Sequence, residues 1–188
     1  MAMTSLTSLL PTLAPLLGLT EQALYERQRA LVRMSLLPAP KGRGRGSGAE
    51  ATPDTVARLL TAVLATDNLS DTDERVQRLA FAPFVGKKGD RCPWTGARTF
   101  VEALSFLLSE QAAIPPAPKL DGHTSIHVYR REPRAMIVFG WKRRPGKGTC
   151  EFGHRDRSGA VALLVDAQLT FEGIQIIRQL LLPEAAAE

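Results

Sequence analysis

LAPLLGLTEQALYERQRALVRMSLLPAPKGRGRGSG, residues 13–48, decides how this chain is read. A leucine-rich segment ends at Gly18, a polar segment opens at Thr20, and alternating glycines and cations close the stretch. Glycine enters the left-handed region without steric cost, so Gly18 suits the turn between two helices that cross steeply. Ala14, four residues earlier, is small enough to let the second helix approach. Thr20 is the expected N-cap of a helix opening at Glu21, whose carboxylate favours the positive end of the helix dipole. On the helical period Ala23, Leu24, Ala30, Leu31 and Met34 share one face, and Gln22, Tyr25, Arg29 and Arg33 share the other. Gln bonds adenine and Arg guanine in two places at once, while Tyr and Arg reach phosphate. We therefore take Thr20, Gln22, Tyr25, Arg29 and Arg33 as the set that would face a nucleic acid. An ordinary amphipathic helix of a bundle would show the same spacing. Arg27 falls toward the apolar face, and its stem is expected to be buried with the guanidinium on a carbonyl or an acid.

Beyond this helix the chain runs through LLPAP into KGRGRGSG. Alternate glycines exclude a stable helix, and Lys41, Arg43 and Arg45 repel one another unless an anion is near. A phosphate backbone is the obvious anion, which makes the loop a candidate wing; a flexible basic linker is the alternative. With LGLT at 17–20, LYER at 24–27 and LLPAP at 36–40, the chain resembles the MerR-type winged helix-turn-helix proteins. The resemblance spans about a quarter of the sequence and implies a recognition helix, a basic wing and binding to double-stranded DNA.

The positive charge lies in two blocks. Residues 1–52 hold six Lys/Arg against three Asp/Glu, and residues 125–160 hold nine against three, within a formal net charge of +5 over 188 residues. The second block includes Lys142, Arg143, Arg144 and Lys147, a possible second basic surface. Two cysteines argue against a disulfide framework and fit a reducing, cytoplasmic setting as buried thiols. The opening residues lack a positive n-region and carry Pro11 and Pro15, so neither a signal peptide nor a membrane span is expected. The same prolines predict a very short first helix, capped by Thr12.

A helix from Thr52–Pro53 should bury Val56, Leu59, Leu60, Val63 and Leu64, and a capping box at Ser70–Asp73 should open the next. Phe81, Phe84 and Trp94 are expected to anchor the long loop that follows, and Thr99–Glu102 to cap a further helix. Pro115 to Pro118 mark a boundary, after which the texture becomes two-residue alternation. SIHVYRR, AMIVFGW, TCEFGHR and GAVALLVDA read as four strands, with Thr170 capping a last helix over one face of the sheet. The expected fold is α+β: a helical, winged helix-turn-helix part over 1–113, then a small antiparallel sheet with helices over 119–188, the candidate oligomerisation or second nucleic-acid surface.

No catalytic constellation stands out, so no enzyme, metal or cofactor is expected. Cys92, His127, Cys150 and His154 could in principle hold zinc, but period two alone puts 150 and 154 on one face. KRRPGKG lacks the spacing of a phosphate-binding P-loop. The expected function is a dimeric, sequence-specific DNA-binding transcription regulator. A phage-type DNA-packaging component resembling a small terminase subunit, or an architectural DNA-binding protein, is the alternative. An RNA-binding accessory protein is a third reading.

Overall fold

A computed structural model of the chain describes residues 4–39, 48–67, 72–87, 89–109, 125–132, 134–138, 148–154 and 165–182, with the backbone alone at 72 and 73. They form helices α1 (Leu6–Leu16), α2 (Glu21–Arg33), α3 (Pro53–Ala65), α4 (Thr72–Ala80), α5 (Phe100–Leu108) and α6 (Phe171–Leu181). Strands β1 (Ser125–Tyr129), β2 (Arg134–Val138), β3 (Thr149–Phe152) and β4 (Asp166–Thr170) complete the α+β fold.

The first helix is longer than its prolines suggest. Ser5, not Thr12, is its cap and accepts from the Ser8 amide at 3.1 Å. Pro11 and Pro15 lie on the exposed side, where water can serve the carbonyls that a missing N–H leaves unbonded. Leu6, Leu9, Leu10, Leu13 and Ala14 then line the buried side without interruption. Burial of that stripe outweighs the cost of the two prolines.

Around α3 the other helices assemble. Thr52 caps it in a reciprocal box with Thr55, Pro53 starts it, and residues on nearly every side are buried. A helix apolar all round has to be central, and α3 packs on α2, α4, α5 and the sheet. Thr61 and Thr66 are buried there because their hydroxyls donate back to Ala57 O at 2.8 Å and Ala62 O at 2.9 Å. The Thr99–Glu102 box is present at α5. Ser70 lies outside the described residues.

The strand order is β3-β2-β1-β4, all antiparallel, so the fourth strand returns beside the first as in a Greek key. Ile126, Val128, Ala135, Ile137, Cys150 and Phe152 point to the core, and their alternate neighbours point away. β4 occupies Asp166–Thr170, later than the GAVALLVDA expectation; of that segment only 165–167 are described. The late start follows from register, which sets Leu169 opposite Ile126 and so keeps its side chain in the core. Thr170 still caps α6, accepting from Gly173 N at 3.2 Å. Ile174 and Ile177 are buried, whereas Leu180 is exposed.

Helices and sheet share one core. Phe152 packs edge-on against Phe100 of α5 and Phe84 of the long loop, with ring centroids at 6.0 and 5.8 Å. Residues 83–85 run along the free edge of β3: Val85 N donates to Glu151 O and Gly153 N to Pro83 O, at 2.8 and 2.7 Å. This contact covers an edge that would otherwise offer unpaired backbone groups. Cys92 and Cys150 are joined by a disulfide at the same edge, with Cα atoms 5.9 Å apart. The expectation of buried thiols is thereby corrected: both residues are buried, but as one bond between two parts of the chain that only the fold brings together. Phe84 and Trp94 pack on the core as anchors; Phe81 is exposed, because it falls in the turn just past α4.

Candidate nucleic-acid interface

The turn between α1 and α2 is built as its sequence suggests. Gly18 takes φ 65°, Leu19 N donates to Ala14 O at 3.0 Å and Gly18 N to Pro15 O at 3.2 Å. These two bonds satisfy the last carbonyls of α1 in a Schellman arrangement that needs a left-handed residue at position 18. Thr20 then caps α2, its hydroxyl accepting from Ala23 N at 3.1 Å. That role holds the Thr20 hydroxyl on the helix itself. At the far end the same arrangement recurs with Ser35 at φ 59°, where Leu36 N donates to Leu31 O.

Gln22, Tyr25, Arg29 and Arg33 are all exposed on one side of α2. The sequence reading overlooked Glu26 in their midst. Gln22 Nε2 donates to Glu26 Oε1 at 2.8 Å, and Arg29 Nη1 lies 3.5 Å from Glu26 Oε2. Helical spacing of three and four residues brings these side chains within reach of one another once the helix forms, so the signal was in the sequence. They hold two candidate base-reading side chains along the helix surface and place one negative charge on the same face.

The inner side of α2 uses similar residues differently. Leu24, Ala30 and Leu31 are buried with Arg27 and Gln28. Arg27 is 4% exposed and donates to Ala23 O at 3.1 Å and to Thr66 O and Asp67 O at 3.4 Å each, as its position on the apolar face predicted. Burial, and then the nearby charge of Arg130, depress its pKa from the ordinary arginine value. Arg130 in turn donates from Nε to Leu64 O at 3.1 Å and pairs with Asp67. Its own pKa is lowered by burial and pulled back up by Asp166. Gln28 exchanges hydrogen bonds with Thr7 of α1, the shorter at 3.0 Å.

Lys41, Arg43 and Arg45 lie outside the described residues, as do Lys142, Arg143, Arg144 and Lys147. Both flanks of the first loop are fixed. Leu36 and Leu37 are buried behind α2, and on the return Ala49 O accepts from Leu6 N at 2.7 Å while Ala51 N donates to Thr4 O at 2.8 Å. Gly48 passes so close to α1 that a Cβ there would meet Thr7 Oγ1 at 2.9 Å. The loop thus leaves from the end of α2 and comes back at the start of α1.

One constellation went unseen in the sequence. Ser125 Oγ is 2.8 Å from His127 Nε2, and His127 Nδ1 is 2.8 Å from Asp166 Oδ2. Ser125 and His127 are alternate residues of one strand, but Asp166 joins them only through the β1–β4 register. The order of atoms is that of a nucleophile, base and orienting acid. Ser125 is only 3% exposed, however, which leaves a substrate carbonyl no approach to its oxygen, so we read the set as a tie across two strands. The disulfide removes Cys92 and Cys150 as zinc ligands, and no group of three metal-binding side chains occurs among the described residues. No helix among the described residues is long and apolar enough to cross a membrane. Comparison with protein-family models, curated proteins and solved structures finds no match to this chain.

Proposed function

We propose that this protein is a sequence-specific double-stranded DNA-binding protein, acting as a dimeric transcription regulator with a winged helix-turn-helix. One observation carries the reading: after a tight Schellman turn, α2 presents Gln22, Tyr25, Arg29 and Arg33 together on an exposed side while its other side is fixed in the core. Preorganised donors on a rigid helix are what a major groove requires. The basic stretch with Lys41, Arg43 and Arg45 adds support by its charge and by its position in the sequence directly after α2, between flanks fixed against α2 and α1. Exposed Ile176 and Leu180, one turn apart on α6, favour self-association through the C-terminal part. Because the sheet shares its core with α3 and α5, the oligomer is to be measured on the full chain.

Selection of duplexes from a random pool tests the proposal. A recovered consensus is expected, and Arg29→Ala should relax preference at one base pair by about 1–3 kcal/mol. A pool that returns no consensus, bound with uniform affinity, would replace sequence-specific regulation with an architectural role. The mass in solution then separates a dimer from the ring expected of a packaging component.

A further inference from the structure

A second basic surface lies among the described residues, where Arg130 and Arg131 of the 125–160 block meet two arginines from outside both basic blocks. Arg75 and Arg78 of α4 line one cleft together with Arg130 and Arg131 of the β1–β2 turn, and Ala65 and Leu79 contribute its apolar part. The two arginine pairs are remote in sequence, so only the packing of the hairpin turn against the end of α3 brings them together. That packing is specific: Arg130 donates to Leu64 O, the Arg130 amide donates to Val165 O at 2.9 Å, and Asp67 pairs with the guanidinium.

The acids that share the cleft are already engaged. Glu74 lies 3.4 Å from Arg78 Nη1, and buried Glu132 lies 3.4 Å from Nε of Arg134, whose guanidinium stacks over Tyr129 at 4.0 Å. Four arginines therefore stand against three carboxylates, Glu74, Asp67 and Glu132, the last of them paired with Arg134, and Arg27 adds a further charge near Arg130. Cations gathered this closely raise the local positive potential, which an incoming anion relieves. All four are arginines, whose planar fork binds two oxygens of one phosphate.

We propose that this cleft is a second contact to nucleic acid, taking the phosphate backbone of a duplex. The proposal rests on the DNA-binding reading for its ligand, and the arginines of the lining support the choice. Ala23 of α2, Arg27, Asp67 and Arg130 form an unbroken chain of hydrogen bonds and charge pairs that ties the cleft to the inner side of α2.

The test is a salt series with a random-sequence duplex and the full chain carrying Arg78→Gln and Arg131→Gln, both exposed side chains whose loss leaves the core intact. The slope of log affinity against log salt should flatten by about two units. The control Arg91→Gln with Arg98→Gln removes the same charge from the long loop and should keep the wild-type slope. A cleft variant with the wild-type slope, or a control that flattens equally, overturns the cleft and leaves α2 to be judged by Arg29→Ala. A flattened slope in the cleft variant alone, with Arg29→Ala keeping full discrimination, upholds the cleft and sinks the α2 reading. If the wild-type protein binds no duplex, both fall; a polyglutamate peptide bound by wild type and released in the cleft variant would then assign the cleft to an acidic protein.

Discussion

Gln22 and Arg29 point outward from α2, and Arg27 and Gln28 point inward, so one helix carries the same two residue types on opposite sides. Arg27 is buried with its donors on backbone carbonyls of α2 and the end of α3; Arg29, two residues on, has a 65% exposed side chain and one distant carboxylate partner. Gln28 is tied to Thr7 of α1, whereas Gln22 is tied only to its own helix. The contrast teaches that phase on the helix, and not chemistry of the side chain, divides buried from exposed residues. The inner pair fixes where α2 sits. The outer pair is left to meet something else.

The largest effect expected touches neither face and calibrates both. Reducing the Cys92–Cys150 bond releases a loop with a sequence separation of 58, which should cost about 4 kcal/mol of stability on the chain-entropy account. Denaturant melts with and without reductant measure it, and duplex discrimination under native conditions should persist. Next comes Arg27→Ala, which leaves a cavity and frees Thr66 O and Asp67 O; a loss of about 2–4 kcal/mol is expected, with unchanged denaturant dependence. Folded Arg27→Ala protein should discriminate sites as wild type does. Arg29→Ala should invert that result, shifting stability by less than about 0.5 kcal/mol while relaxing discrimination. Equal stability losses at 27 and 29 would break the comparison. Gln28→Ala should fall between, at about 1 kcal/mol, because one bridge between α1 and α2 is lost.

Much of this organisation was legible in the sequence wherever a local rule was sufficient. Gly18, Thr20, Thr52 and the Thr99–Glu102 box marked helix ends, and Arg27 declared its burial by falling on the apolar stripe. Features decided by tertiary register were not legible. The start of β4 depends on which residue meets Ile126, the Ser125–His127–Asp166 set depends on that same pairing, and the disulfide depends on the long loop lying along β3. The first helix shows the remaining kind of miss, in which buried leucines overrode an unfavourable proline propensity. The cytoplasmic expectation leaned on free thiols, and that support goes with the disulfide.

Glu26 offers the smallest effect and the finest test of the outer face. As an exposed pair with Arg29 and a hydrogen-bond acceptor for Gln22, it contributes little stability, and Glu26→Gln should change it by less than about 0.5 kcal/mol. Its effect on binding depends on what the carboxylate does. If it only restrains Gln22 and Arg29, neutralising it frees Arg29 and removes a charge that repels phosphate. Affinity for every duplex should then rise by about 0.3–1 kcal/mol, roughly two- to fivefold. If instead it reads a cytosine amino group, the variant should lose affinity for its selected site while random duplex binding stays level. We expect the general rise, because both carboxylate oxygens already face neighbours on α2. No change with either kind of duplex would mean that this side of α2 never approaches DNA.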